Sequence, residues 1–318
     1  METAVRTSEK KLQIKIKKTG KRMYKMRYYY LLILPTIVFF VIFHYVPMYG
    51  VTLAFKDFRF LDGILKSPWV GFEHFERLFG SKYFYQVLRN TIIISSYKLI
   101  FGFPAPIILA LLLNEIRHSK FKRTIQTISY LPHFISWVVL AGIIMELLSP
   151  ARGAVNYIRT LFGKEPIYFL AEPKYFRSIL VITHIWQSVG WGTIIYLAAI
   201  AGIDQEQYEA AYIDGASRYQ LVKYITLPSI RSVISVVFIL NLGRILNAGF
   251  DQIFNLYNAQ VYRVGDIIDT YVYRIGLIDM QYSFSTAVGL FKNVVGLILV
   301  LTSNFIIRRL GDGEHGLW

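Results

Sequence analysis

Residues 209–228 read EAAYIDGASRYQLVKYITLP, a stretch too polar to span a bilayer yet set between two long apolar segments. It begins with Glu209, Ala210 and Ala211, continues with Asp214-Gly215-Ala216, and closes on Leu227-Pro228. Local chemistry predicts two short helices joined by a turn. Asp204 suits an N-cap with Gln207 at the third helical position, a capping-box pattern with Asp in place of Ser or Thr. The helix over 205–213 then presents Ala210 and Ala211, small enough for another protein surface to approach closely. Gly215 suits the left-handed turn that ends a helix, a geometry that a side chain resists. Ser217 starts a second helix over 218–225, and Pro228 opens the next apolar span where a missing N–H does little harm.

Outward from this elbow the chain is membranous. Of its 318 residues 54% are hydrophobic and only 17% charged, with a mean hydropathy of +0.42. Several runs exceed the roughly 18–20 apolar residues that cross a hydrocarbon core of about 30 Å. They are too long and too uniformly apolar for the alternating strands of a β-barrel. The class is therefore an all-α, polytopic membrane protein. Six spans are predicted, over 29–47, 90–114, 124–148, 178–203, 229–250 and 284–307. The first exceeds a signal-peptide core and has no small-residue cleavage site after it, so it is expected to stay as a signal anchor.

Charge gives the orientation. Ten of the 35 Lys and Arg residues fall in the first 27 positions, ahead of the first span. The short loop after the second span holds Arg117, Lys120, Lys122 and Arg123, and Arg308 and Arg309 follow the sixth. The loops on the other side are longer, with acids such as Asp57, Asp62, Glu73 and Glu76 in the first. By the positive-inside rule both termini are cytosolic, and so is the elbow. The +15 net charge is thus a topology signal beside anionic lipid, not a nucleic-acid footprint. The expected organisation is a basic cytosolic tail over 1–27, a transmembrane domain over 28–309 with its elbow at 204–226, and a short tail over 310–318. A surface helix is expected over 70–89, and Pro150, Gly153, Gly163, Pro166 and Pro173 punctuate the loop over 149–177.

The elbow resembles the EAA loop of permease subunits in binding-protein-dependent ABC importers, in residue type and in spacing. The resemblance runs from about residue 28 to 309. Tyr30-Leu-Leu-Ile-Leu-Pro35, Tyr45-Val-Pro47-Met48-Tyr-Gly50, Asn247-Ala-Gly-Phe-Asp-Gln-Ile-Phe254 and Asp269-Thr-Tyr-Val-Tyr273 look like the carbohydrate-uptake group. It implies the type I importer fold in a bacterial cytoplasmic membrane, with Glu209, Ala210, Ala211, Asp214, Gly215, Ala216, Leu227 and Pro228 as the contact to an ATPase. It also implies the partners: a second homologous permease, two ATPase subunits carrying ATP and Mg, and an extracytoplasmic solute-binding protein. The cargo implied is an oligosaccharide.

Charges within the spans cost at least about 2.5–3.5 kcal/mol at the bilayer centre on insertion scales, so Lys98, Glu146, Arg244 and Lys292 need a reason. Lys98 and Glu146 read as snorkelling or subunit-packing residues. Asn241, Arg244, Asn247 and Asp251 recur at helical spacing and are expected on one face of the fifth span. Gln252, Asn255 and Asn258 follow, interleaved with Phe250, Phe254 and Tyr257. Amides beside aromatic rings suit a sugar, while a hydrogen-bonded seam between helices is the plainer reading. Arg244 and Lys292 would suit an anionic sugar such as a uronate. No cysteine, phosphate loop, H-E-x-x-H pair or nucleophile elbow is present. Hence no cofactor, metal or catalytic residue is expected on this chain. A peptide importer, an ion-coupled transporter and a membrane-embedded enzyme are the competing readings.

Overall fold

The computed structural model describes residues 25–310. The basic tail expected over 1–27 lies outside the described residues except for its last three positions, and the tail over 310–318 lies outside them after Leu310. Among the described residues the chain is helical, and extended pairing is confined to one bridge between Lys56 and Trp69. Four helices are long and apolar enough to cross a membrane, or up to six if two bent pairs each count as a span.

Helix α1 (Arg27–Phe55) is exposed along most of its length, and only its tightened end, Tyr49–Phe55, packs against the body of the chain. A short helix α2 (Glu73–Gly80) precedes α3 (Lys82–Glu115). Ser81 separates the two, its hydroxyl accepting from Phe84 N at 3.3 Å as an N-cap. The surface helix expected over 70–89 is therefore divided. Its second half forms the first turns of the second span, which grows to 34 residues.

The third span is not one helix. Helix α4 (Ser119–Phe134) meets α5 (Trp137–Leu147) at 106°. Pro132 lacks the N–H that would continue the ladder, Ile135 is extended, and Ser136 caps a fresh helix through Val139 N. The next loop holds α6 (Ala154–Leu161), fastened by buried Asn156 to the carbonyls of Leu148, Ser149 and Ile167. Helix α7 (Pro173–Ala201) crosses in 29 residues, beginning at Pro173 rather than at 178.

The elbow follows as α8 (Gln205–Ile213) and α9 (Arg218–Ser229), and α10 (Arg231–Gly243) leaves α9 at 62°. Pro228 thus lies in the last turn of α9, and the span starts beyond it. The fifth span also ends early, at Gly243. Thirteen residues cover about 20 Å, less than a hydrocarbon core. Helices α11 (Phe250–Leu256) and α12 (Ile268–Tyr273) then fold back over α3 and α7 before α13 (Tyr282–Leu310) crosses.

Prolines explain a recurrent widening of the helices. The π-turns Val41–Tyr45, Lys98–Gly102 and Val222–Thr226 each end two residues before a proline: Pro47, Pro104 and Pro228. A proline ring clashes with the carbonyl four residues back and cannot bond it, so the preceding turn opens by one residue.

Contacts sort the helix ends. Phe58 N donates to Ser283 Oγ at 3.0 Å and Arg77 to Gln281 at 2.8 Å, where α3, α7 and α13 begin. At the opposite end Arg218 of α9 lies 3.6 Å from Glu115, the last residue of α3. Between the ends lie apolar cores. One joins Ile94, Phe176, Leu180 and Ile253, and another, nearer the elbow, joins Ala110, Tyr196, Ile200 and Ile230.

Candidate functional site

The elbow is built by capping. Asp204 caps α8 by accepting from Glu206 N at 3.0 Å, so the expected reciprocal box with Gln207 does not form there. That box occurs at Ser217 instead: Gln220 N donates to the Ser217 hydroxyl, and Ser217 N donates to the Gln220 side-chain Oε1 at 2.7 Å. Gly215 adopts φ +79. Its N–H bonds Tyr212 O and that of Ala216 bonds Ala211 O at 2.9 Å, the paired closure of a Schellman motif. Tyr208 and Thr226 hydroxyls, 2.9 Å apart, tie α8 to α9, and Leu221 of α9 is buried.

Most of the rest of the elbow faces outward. Glu209, Ala210, Asp214 and Gly215 are exposed, and Ala211 and Ala216 are half-buried. Tyr212, Ile213 and Tyr219 are exposed at 58%, 87% and 73%. Few polar loops of a monomer leave so much apolar side chain exposed.

A second feature lies within the helices. A cavity of about 610 Å³ opens between the middle of α3, the end of α4, α7 and the broken end of α10. Helix α10 stops at Gly243, residues 244–249 form a loop, and Gly249 at φ +96 starts α11. The expected common helical face of Asn241, Arg244, Asn247 and Asp251 is therefore broken. Asn241, Arg244 and Asn247 nevertheless line the cavity together, while Asp251 is exposed outside it. Lys292 does not reach it. Its Nζ is paired with Asp269 of α12, a contact that holds the folded-back segment onto α13.

Irregular backbone at membrane depth must be satisfied by the protein or by water in a cavity. Here Lys98 does part of that work. Its Nζ donates to Ala248 O at 2.6 Å and to Gln252 Oε1 at 2.5 Å, and Gln252 in turn donates to Leu180 O and Thr183. Lys98 is buried and anchors the loop, so snorkelling does not describe it; Glu146, by contrast, is exposed beside Arg152 at 3.7 Å. Asn255 and Asn258 are also engaged with backbone, at Asp251 O and Leu170 O.

The cavity wall carries polar atoms that the sequence did not single out. Ser95 Oγ and His133 Nδ1 are buried and without a partner among the described residues. The His133 ring stacks on Trp191 with centroids 4.7 Å apart and planes at 4°, and Phe134 meets the same indole edge-on. Arg244 forms no ion pair among the described residues. Ser95, His133, Trp191 and Arg244 stand 38 to 149 positions apart along the chain, so no local spacing announces them. A lone histidine in an apolar run was the one available signal. The arrangement can donate and accept hydrogen bonds, offer an aromatic face and attract an anion; among the described residues no cluster could hold a metal.

Comparison with known proteins agrees with this architecture. A family model described as "Binding-protein-dependent transport system inner membrane component" matches residues 102–312. The protein LplB of Bacillus subtilis (strain 168) is 47% identical over 292 residues, 92% of this chain and 91% of that protein. The polygalacturonan/rhamnogalacturonan transport system permease protein YteP of the same organism is 46% identical, covering 93% and 92%. Among solved structures, a bacterial ABC transporter involved in the import of the acidic polysaccharide alginate superimposes with a TM-score of 0.86 at 42% identity, covering 92% of this chain and 99% of that one. A second, in complex with alginate pentasaccharide-bound periplasmic protein, gives 0.86 at 41%, covering 93% and 99%.

Proposed function

As this chain belongs to the binding-protein-dependent transport system inner membrane component family, we propose that it translocates an acidic oligosaccharide through the cavity at the broken end of α10. It is a multi-pass inner-membrane permease subunit of an ABC importer and carries out transport, not catalysis. Its cargo arrives from an extracytoplasmic solute-binding protein, and a second homologous permease completes the pathway. Two ATPase subunits hold ATP and Mg. Both termini and the elbow are cytosolic.

The observation that carries the cargo class is Arg244, a cation without an ion-pair partner among the described residues, at the mouth of a cavity that also presents Trp191, Asn241 and Asn247. A guanidinium binds a carboxylate with two parallel hydrogen bonds, and an indole stacks on the C–H face of a sugar ring. The names of two similar proteins, one a polygalacturonan/rhamnogalacturonan system and one an alginate importer, support the same class.

The elbow is the lever. Glu209, Ala210, Ala211, Asp214, Gly215 and Ala216 sit in a cleft of the ATPase, with Leu227-Pro228 passing the movement to α10. ATP closes the ATPase pair, the elbows follow, and the cavity exchanges one side for the other. Arg218 against Glu115 couples the same movement to α3.

Proteoliposomes holding the assembled importer test the cargo directly. With ATP inside and binding protein outside, uptake of labelled oligogalacturonate or oligoalginate is expected, and neutral oligosaccharides of equal length should enter more slowly. Equal uptake of both, or uptake that follows an ion gradient without ATP, refutes the reading.

A further inference from the structure

A second cavity, of about 580 Å³, lies where α3 and α7 begin and is lined by Arg89, Arg177 and Arg263. No carboxylate lines it. Asp266, whose backbone carbonyl bonds the cavity-lining Asn90, is already committed: its carboxylate oxygens accept from Tyr83 OH at 2.5 Å, Thr270 at 2.7 Å and Arg274 at 2.7 Å. Arg89 and Arg263 form no ion pair among the described residues.

The cluster is assembled and not merely coincident. Buried Asn90 accepts from Arg177 Nη2 at 2.8 Å and donates to the carbonyls of Arg263 and Asp266 at 3.1 Å. Arg177 Nε also donates to Val264 O at 3.1 Å. One asparagine therefore draws a guanidinium of α7 and the backbone of the folded-back segment against α3, gathering like charges that repel one another. An anion between them relieves that repulsion.

Depth and facing identify the anion. Helix α3 at 34 residues is about 51 Å long, more than a bilayer with its headgroups, and Arg89 lies about 10 Å below its start. Arg177 lies about 6 Å below the start of α7. Both are at headgroup level. At about 100° per residue, Tyr85, Gln86, Arg89 and Asn90 occupy the side of α3 roughly opposite to Ser95 and Leu99, which face the transport cavity. Deeper on that side come Tyr97, Ile100 and Phe101, exposed at 43%, 59% and 57%. Cations above an apolar strip match a phosphate above acyl chains.

We infer that Arg89, Arg177 and Arg263 form a binding site for the phosphate of an anionic phospholipid, separate from the transport pathway. The assembled importer, purified from native membranes, is compared with the Arg89→Gln/Arg263→Gln double variant by mass spectrometry of co-purified lipid. Among the described residues neither side chain makes a hydrogen bond or ion pair, so the variant should fold as the wild type does; Arg177 is left in place because it ties α7 to Val264. The wild type should retain phosphatidylglycerol, and the variant should retain it about tenfold less. In phosphatidylcholine nanodiscs, added phosphatidylglycerol should raise the melting temperature of the wild type alone. Equal lipid retention by both overturns the site. So does equal stabilisation by inorganic phosphate without anionic lipid, which would assign the cavity to a soluble anion. Unchanged lipid retention with selective loss of acidic-oligosaccharide uptake would assign it to the cargo. Lipid retention is read without transport, so the cargo proposal and this one fail independently.

Discussion

Lys98, in the π-turn of α3, donates a 2.6 Å hydrogen bond to the carbonyl of Ala248, 150 residues further along the chain. That carbonyl belongs to the loop that interrupts the fifth span, so a single ammonium holds open the feature that makes the cavity. Across from it, Gly249 is the residue that permits the approach: a Cβ there would stand 2.8 Å from Lys98 Nζ, at a φ of +96 that L side chains rarely adopt.

Replacing Lys98 by Met should leave Ala248 O and Gln252 Oε1 short of a donor in a buried setting, at a cost of about 1–3 kcal/mol for each group. The melting temperature of the assembled importer should fall, and uptake with it. A thermal scan in detergent reads the first and vesicle uptake the second; unchanged values for both would show that the loop stands without the lysine.

Gly249→Ala should also destabilise, by strain and by displacing Lys98. Because both changes act on one contact, the double variant Lys98→Met/Gly249→Ala should lose less than the sum of the two single losses. Strict additivity in a double-mutant cycle would separate the two residues.

Gly215→Val tests the elbow. No atom lies within 4 Å of where its Cβ would be, so the damage comes from φ +79 alone. A left-handed β-branched residue costs more than the roughly 1–2 kcal/mol of an ordinary one, whereas Asn is tolerated there. Membrane insertion should persist, uptake should fall well below wild type with ATPase activity no longer responding to loaded binding protein, and Gly215→Asn should retain most coupling. Normal coupling in the Val variant would sink the lever account.

Arg244→Gln should reduce uptake of an acidic oligosaccharide about tenfold or more while changing neutral uptake little, since one charge-assisted pairing is lost. Trp191→Ala should slow both cargoes, because stacking is blind to charge. The ratio of acidic to neutral uptake is the quantity to measure.

Asp266→Ala should be among the most destabilising single changes. Burial works against the charge on Arg274, but the hydrogen bond and charge of Asp266 outweigh it and hold the guanidinium proton more firmly than usual. Removing the carboxylate strands that cation and frees Tyr83, at a cost of about 3–5 kcal/mol. Limited proteolysis within 257–281 should accelerate in the variant, and equal cleavage rates would show that the segment is held elsewhere.

Much of the fold was legible because its signals are local. Apolar runs marked the spans, Ser217 and Gly215 marked the caps of the elbow, and each proline after a π-turn was visible as a proline. The errors have local causes too. Ser81 and Ser136 are N-caps embedded in runs that hydropathy reads as continuous, so pattern alone joins a surface helix to a span and merges a bent pair into one helix. Gly243 and Gly249 sit within a pattern that counts as helical by spacing alone, which is why spacing groups Asp251 with Arg244.

The chain's residues by themselves determined that it is an α-helical membrane protein with a polar elbow, because hydropathy and capping depend on neighbours a few positions apart. Only tertiary structure decided which polar groups share a cavity. Lys98 became an anchor, Lys292 a partner for Asp269, and His133 a neighbour of Trp191 through contacts between distant helices. The reason is desolvation: a polar group inside a bilayer takes whichever partner packing brings within about 3 Å, and sequence spacing does not record that partner.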